Sequence, residues 1–331
     1  MAKTKTALVC TDCGAEHGQW QGQCVACKAW NTLSRLNLGA SSSPATKADF
    51  RKPSFSGEQS NVQNLSDIDL ESLPRYPSSI GELDRVLGGG LVPGSVVLIG
   101  DNPGAGKSTL LLQVMCQLAH SGKAALYVTG EESLQQVGMR ARRLGLPEAK
   151  LQMMAETNVE QIVQAAQQHA PELVVVDSIQ VMHSADVASA PGSVSQVRES
   201  AAYLTRFAKL HHIAIIMVGH VTKDGSLAGP KVLEHCIDCS VMLDGDSDSR
   251  YRTLRGNKNR FGPVNELGVF AMTGQGMKEV KNPSAIFLTR GKEDQSGSIV
   301  MVLWEGTRPL LVEIQGLVDY SPLNNPRRVT L

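Results

Sequence analysis

The run Val96-Val97-Leu98-Ile99-Gly100-Asp101-Asn102-Pro103-Gly104-Ala105-Gly106-Lys107-Ser108-Thr109 leads directly into Leu110-Leu111-Leu112-Gln113. An apolar strand, a glycine-rich turn and an apolar helix follow one another, which is the context a phosphate-binding loop requires. Glycines let successive backbone N–H groups curl around phosphate oxygens, and the helix start adds the positive end of its dipole. Lys107 is placed to reach the terminal phosphates and the Ser108 hydroxyl to ligate Mg²⁺. Asp101 to Thr109 is therefore expected to bind a nucleoside triphosphate. One position departs from the G-x-x-x-x-G-K-[ST] pattern, whose first glycine falls at 101, where this chain has Asp101. Asp is among the few residues that tolerate a left-handed turn, but its carboxylate would lie near bound phosphate.

Two acidic sites follow. Leu173-Val174-Val175-Val176-Asp177-Ser178 is an apolar run ending in an acid. In phosphate-loop enzymes an acid at that strand end holds Mg²⁺ or its water, so Asp177 is the expected partner of Ser108. Tyr127-Val128-Thr129-Gly130-Glu131-Glu132-Ser133 ends the strand after the Lys107 helix. In a parallel sheet that end shares an edge with the phosphate loop, so one carboxylate can orient the attacking water. Glu131 is the preferred candidate, with Glu132 as the alternative, since neighbours point in different directions and both also suit the start of the next helix.

The cysteines form two groups. Cys10-Thr11-Asp12-Cys13 and Cys24-Val25-Ala26-Cys27 are two C-x-x-C pairs across a short polar loop, the spacing of a four-thiolate Zn²⁺ ribbon. With four thiolates available, His17 between them is expected to face solvent. Cys116, Cys236 and Cys239 sit in apolar surroundings and are expected to pack as small hydrophobes.

The elements that must position these groups can be read from periodicity. Gly81 to Leu87 reads as a short helix stopped by Gly88-Gly89-Gly90. Beyond Ser95, β-rich runs at Ala124–Val128, Leu173–Val176 and Ile213–Val218 alternate with helical segments, the signature of an α/β domain with a largely parallel sheet. Val194, Val197, Ala201, Leu204 and Ala208 recur at three- and four-residue steps, giving one apolar helix face for the sheet. Tyr251–Arg255 and Glu266–Met272 are joined without a helical pattern, so the sheet is expected to end in antiparallel hairpins.

Composition sets the outer limits. The chain has 331 residues, 42% of them hydrophobic, enough for a full core with smaller modules beside it. No apolar run reaches membrane-spanning length and none follows the basic start Met1-Ala2-Lys3, so a cytoplasmic location is expected. Lys and Arg together number 32, as do Asp and Glu, so nucleic-acid binding would have to come from local patches. Asn37 to Asn64 is rich in Ser, Ala, Lys, Gly and Gln and reads as a flexible linker.

The cysteine knuckle, Leu83-Asp84-Arg85-Val86-Leu87-Gly88-Gly89-Gly90, the phosphate loop, Gly130-Glu131-Glu132-Ser133 and above all Lys258-Asn259-Arg260-Phe261-Gly262 resemble the bacterial RadA (Sms) family of recombination and repair proteins. The resemblance covers essentially the whole chain. It implies a RecA-like ATPase core that uses ATP and Mg²⁺, assembles as a hexameric ring and acts with a RecA-type recombinase on single-stranded and branched DNA. It divides the chain into a zinc finger over 1–36, a linker over 37–64, an ATPase domain over 65–280 and, over 281–331, the beginning of a Lon-protease-like domain. Ala285-Ile286-Phe287-Leu288 and Gly306 to Ile314 look like that domain's opening strands, with the chain stopping at Leu331 before its expected end.

The resemblance also implies roles. Lys258 and Arg260, read as lying on a turn, would reach a neighbouring subunit's nucleotide, where a guanidinium suits phosphate. The loops Val181–Ser193 and His220–Lys231 would line a central channel, with Lys223 and Lys231 on DNA phosphates. His220 would sense the nucleotide state. The function implied is ATP-driven branch migration; the alternative is a nucleotide-switched adaptor that binds DNA and the recombinase without motor activity.

Overall fold

The structure is a computed structural model that describes residues 6–10, 15–37, 64, 74–101, 104–147, 150–220, 233–245, 249–288 and 296–320. Cys13, Asn102, Pro103, Lys223, Lys231 and nearly all of the expected linker lie outside the described residues, as do the side chains of Asp101 and His220.

The N-terminal ribbon is a small antiparallel sheet of β1 (Thr6–Cys10), β2 (Glu16–His17) and β3 (Leu33–Asn37), in the order β2-β1-β3. Among its described residues, Cys10, Cys24 and Leu33 form the buried apolar cluster, with Ala15 packed against them. So small a core does not supply folding energy on the scale a metal does.

The main body begins at α1 (Gly81–Leu87), which ends on Gly88 at φ 82°. β4 (Val96–Asp101) leads into α2 (Lys107–His120), then β5 (Ala125–Thr129), α3 (Leu134–Arg143), β6 (Gln152–Ala155), α4 (Val159–His169) and β7 (Leu173–Asp177). α5 (Val194–His211), β8 (Ala214–His220), β9 (Cys239–Asp244), β10 (Tyr251–Asn259), β11 (Leu267–Thr273) and β12 (Gly276–Glu279) complete it. Among the described residues these strands form one sheet in the order β6-β5-β7-β8-β4-β9-β10-β11-β12. Pairing is parallel from β6 through β9 and antiparallel from β9 to β12.

Strand alternation sorts the core into two layers. Val97, Ile99, Tyr127, Val175 and Ile216 face one side, where the apolar stripe of α2 packs with α1 and with Val137 and Ala141 of α3. Leu98, Leu126, Val128, Val174 and Met217 face the other, covered by α4 and α5. On α5, Val197, Ala201, Leu204 and Ala208 are buried as their spacing predicts.

β10 runs further than its apolar pattern indicates. A register shift between Gly256 and Lys258 leaves Asn257 as an extra residue against β9, and pairing resumes with Lys258 opposite Ser240 and Asn259 opposite Cys239. Lys258 therefore sits in a strand rather than on the expected turn.

A second unit spans Val280–Leu331. Among its described residues are a helical turn, Ser284–Phe287, and a hairpin of β13 (Ser298–Glu305) and β14 (Arg308–Gln315). The helical turn replaces the strand expected at Ala285–Leu288. The hairpin closes with Glu305 opposite Arg308 around Gly306 and Thr307.

Candidate active site and metal centre

The carboxyl ends of β4, β5, β7 and β8 share one edge, since Thr129 pairs with Asp177 and Asp101 with His220. Asp101 is the last residue of β4, in extended backbone between β8 and β9. That position is extended and requires no left-handed turn, so Asp101 carries no backbone strain there. The loop turns instead at Gly104 (φ 93°) and Gly106 (φ 105°). Gly106 is the N-cap of α2 without a side-chain cap, and a Cβ there would come within 2.5 Å of the Met277 methyl. The bare turn thus leaves α2's first amides without a capping side chain, as an anion cradle needs.

Lys107 opens α2 with only 4% of its side chain exposed. Burial pushes its ammonium down to about 8, opposed by the carboxylates of Asp177 and Glu131. A buried cation flanked by two acids in a cradle of amides fits a triphosphate with Mg²⁺. Ser108 and Thr109 occupy the same first turn, both half-buried.

The two glutamates point apart. Glu132 pairs with Arg140 on α3, and its backbone N–H donates to the Thr129 hydroxyl at 3.1 Å. Glu131 turns the other way and accepts a hydrogen bond from the Ser178 hydroxyl, beside Asp177. Ser133 caps α3 in a reciprocal box with Gln136, which fixes where the acidic pair emerges.

Two buried residues at this edge carry no motif in the sequence. The Tyr127 hydroxyl donates to Asp177 Oδ2 at 2.6 Å. Arg252 of β10, 3% exposed, donates from Nε to the Ala105 carbonyl at 3.1 Å and so holds the phosphate loop from the antiparallel half of the sheet. An arginine in an otherwise strand-like run is the one signal that pointed to it.

The pentapeptide lies elsewhere. β10 runs antiparallel to β9, so Asn259 pairs with Cys239 at the level of Val97, at the opposite edge from Lys107. Lys258 Nζ donates to the Ile237 carbonyl at 2.7 Å, and also to that of Glu234. Burial, then neighbouring Arg260, lowers its pKa. Arg260 is 54% exposed and contacts Asp238 Oδ1 at 3.2 Å. Asp238, 1% exposed, also accepts from Lys209 at 3.0 Å and from the Val96 amide at 3.0 Å. The remaining residues of the pentapeptide pack on the glycines after α1. Asn259 donates to the Val86 carbonyl at 3.3 Å, and a Cβ on Gly262 would meet Gly88 Cα at 2.9 Å.

The loop Val181–Ser193 is pinned by buried Gln196, whose amide accepts from the Ser184 N–H at 3.0 Å and donates to the Val187 and Ser189 carbonyls at 3.0 and 2.8 Å. It contains no lysine or arginine. The loop carrying Lys223 and Lys231 lies outside the described residues.

In the ribbon, Cys10 and Cys27 Sγ lie 3.6 Å apart, and the sulfurs of Cys10, Cys24 and Cys27 are all within 4.8 Å of one another. Zn–S bonds of about 2.3 Å put the sulfurs of a tetrahedral site roughly 3.8 Å apart, so the three fit Zn²⁺. His17 does not face solvent: it is buried, with Nε2 3.3 Å from Cys24 Sγ and Nδ1 2.8 Å from Gln21. Pairing of Leu8 with His17 turns the ring inward, toward the sulfurs. No helix among the described residues is long and apolar enough to cross a membrane.

Two family models match the chain, an AAA domain over residues 59–226 and a rubredoxin metal binding domain over residues 9–35. The chain is 67% identical to the DNA repair protein RadA of Salmonella typhimurium and 67% identical to that of Escherichia coli, in each case over its whole length and 72% of the relative. It is 47% identical to the protein of the same name from Bacillus subtilis, over 99% of this chain and 71% of the relative. With these matches the fold is a RecA-like ATPase core carrying an N-terminal zinc ribbon, and its cofactors are ATP, Mg²⁺ and Zn²⁺.

Proposed function

The chain belongs to the RadA family of bacterial DNA repair proteins, and from that membership we propose that it is a DNA-dependent ATPase that moves along single-stranded DNA as a ring and drives branch migration of recombination intermediates. One observation carries the reading of a site shared between subunits. Lys107, Glu131 and Asp177 meet at one sheet edge, while exposed Arg260 stands at the opposite edge, where it serves a neighbouring copy and not its own nucleotide.

In this reading Lys107 and the Gly104–Thr109 amides bind the phosphates. Bound Mg²⁺ supplies charge neutralisation to the triphosphate, and Ser108 and Asp177 hold it. Glu131 orients the attacking water and takes its proton, supported by its separation from the Glu132–Arg140 pair. Arg260 of the adjacent subunit stabilises charge on the γ-phosphate oxygens, with Lys258 bracing the strand end that presents it. Lys223 and Lys231 contact DNA phosphates. The four cysteines Cys10, Cys13, Cys24 and Cys27 hold Zn²⁺, and the hairpin β13–β14 opens a Lon-protease-like domain. A hexameric assembly, a RecA-type recombinase partner and a cytoplasmic location complete the proposal.

ATP turnover measured with and without single-stranded DNA, alongside strand displacement on a forked substrate, tests this. DNA-stimulated turnover with directional displacement is expected. Turnover without displacement would instead favour an adaptor whose hydrolysis times its release.

A further inference from the structure

Tyr127 lies in the middle of β5, is fully buried, and faces the α2 side of the sheet. Thr129 pairs with Asp177, so Tyr127 is one same-face position back along β5, within diagonal reach of the aspartate across the strand pair. Its hydroxyl donates to Asp177 Oδ2 at 2.6 Å. We propose that Tyr127 is a positioning residue: by occupying Oδ2 it fixes the Asp177 carboxylate so that Oδ1 is the oxygen presented to the Mg²⁺ of bound nucleotide. The inference rests on the reading that Asp177 serves Mg²⁺.

A carboxylate on a strand end rotates about its terminal torsion at little cost, which blurs the position of a metal-ligating oxygen. A hydrogen bond from a buried neighbour removes that freedom, as partners of metal-ligating carboxylates do generally. Tyr127 suits the task because it is fully buried in the core layer that also contains the apolar residues of α2. Glu131 and Glu132 make other contacts, with Ser178 and Arg140, so neither competes for this hydroxyl.

Tyr127→Phe keeps the ring and deletes only the donor. In the full chain, binding of a fluorescent ATP analogue is titrated with Mg²⁺ for the parent, Tyr127→Phe, Asp177→Asn and the double variant. Thermal unfolding of each is recorded without nucleotide. The expected result is a rise of about tenfold in the Mg²⁺ concentration for half-maximal enhancement in Tyr127→Phe, with metal-free nucleotide affinity unchanged. Adding Tyr127→Phe to Asp177→Asn should then shift nothing further. If Asp177→Asn shifts the metal dependence and Tyr127→Phe does not, the positioning role is wrong while the reading of Asp177 stands. If Asp177→Asn itself leaves the metal dependence unchanged, both fall. Equal shifts from Tyr127→Phe in both backgrounds would mean that it acts through packing rather than through Asp177, and would overturn the proposal.

Discussion

Lys107 holds a charge where the fold makes charge costly, and that has a measurable consequence. Its pKa is lowered from 10.5 to about 8. Between those values the folded chain binds fewer protons than the unfolded one, so this group makes the nucleotide-free protein gain stability as pH rises from about 8 toward 10.5. Phosphates beside the ammonium favour its charged form, so ATP binding above pH 8 should take up a proton. Calorimetry in two buffers of different ionisation enthalpy should detect that uptake, and Lys107→Met should lose it. Separating the two glutamates gives a second expectation. Glu131→Gln should lower turnover by about 10²-fold or more with ATP binding retained, as loss of a general base does. Glu132→Gln should change turnover far less, because its carboxylate is engaged by Arg140. At this scale the sequence was legible wherever a residue type met a motif, as with Lys107 and Asp177. Tyr127, Arg252 and Asp238 were not, because each acts through a partner 50, 147 or 142 positions away in the chain.

The strands and helices were largely readable because the two periodicities separate cleanly in a doubly wound sheet. Where the elements differed from expectation, a local backbone event was responsible. The extra residue beside Gly256 prolongs β10 and carries Lys258 into the ladder, which no apolar pattern records. Counting thiolates alone puts His17 in solvent, whereas strand pairing turns its ring inward. Asp238 joins three elements: its carboxylate ties α5 through Lys209, the start of β4 through the Val96 amide, and the end of β10 through Arg260. Asp238→Asn should destabilise the fold by about 1.5–3 kcal/mol, the range for hydrogen bonds to charged groups, and thermal or urea unfolding would register it. The cost stays below that of breaking a fully buried pair because Arg260 remains half in water. In the ribbon, Cys27→Ser should lower bound zinc well below the one equivalent expected of the parent, read by metal analysis of the purified chain, since its sulfur lies within 4.8 Å of those of Cys10 and Cys24.

At the scale of the whole molecule, the sheet divides the residues proposed for catalysis between its two edges. Lys107, Glu131 and Asp177 stand at the carboxyl ends of the parallel strands, and Lys258 and Arg260 near the opposite ends, with β4 running between them. An assembly in which each copy lends its Arg260 edge to the next copy's nucleotide edge would use both, and hydrolysis would then depend on the contact between subunits. The measurement that tests this most directly mixes two inactive variants. Lys107→Ala and Arg260→Ala should each abolish turnover alone. In co-assembled mixtures, some interfaces pair the intact Lys107 of one chain with the intact Arg260 of the other, and partial recovery of ATPase activity is expected. Normal turnover by Arg260→Ala alone, or no recovery in assemblies proven to be mixed, would contradict it.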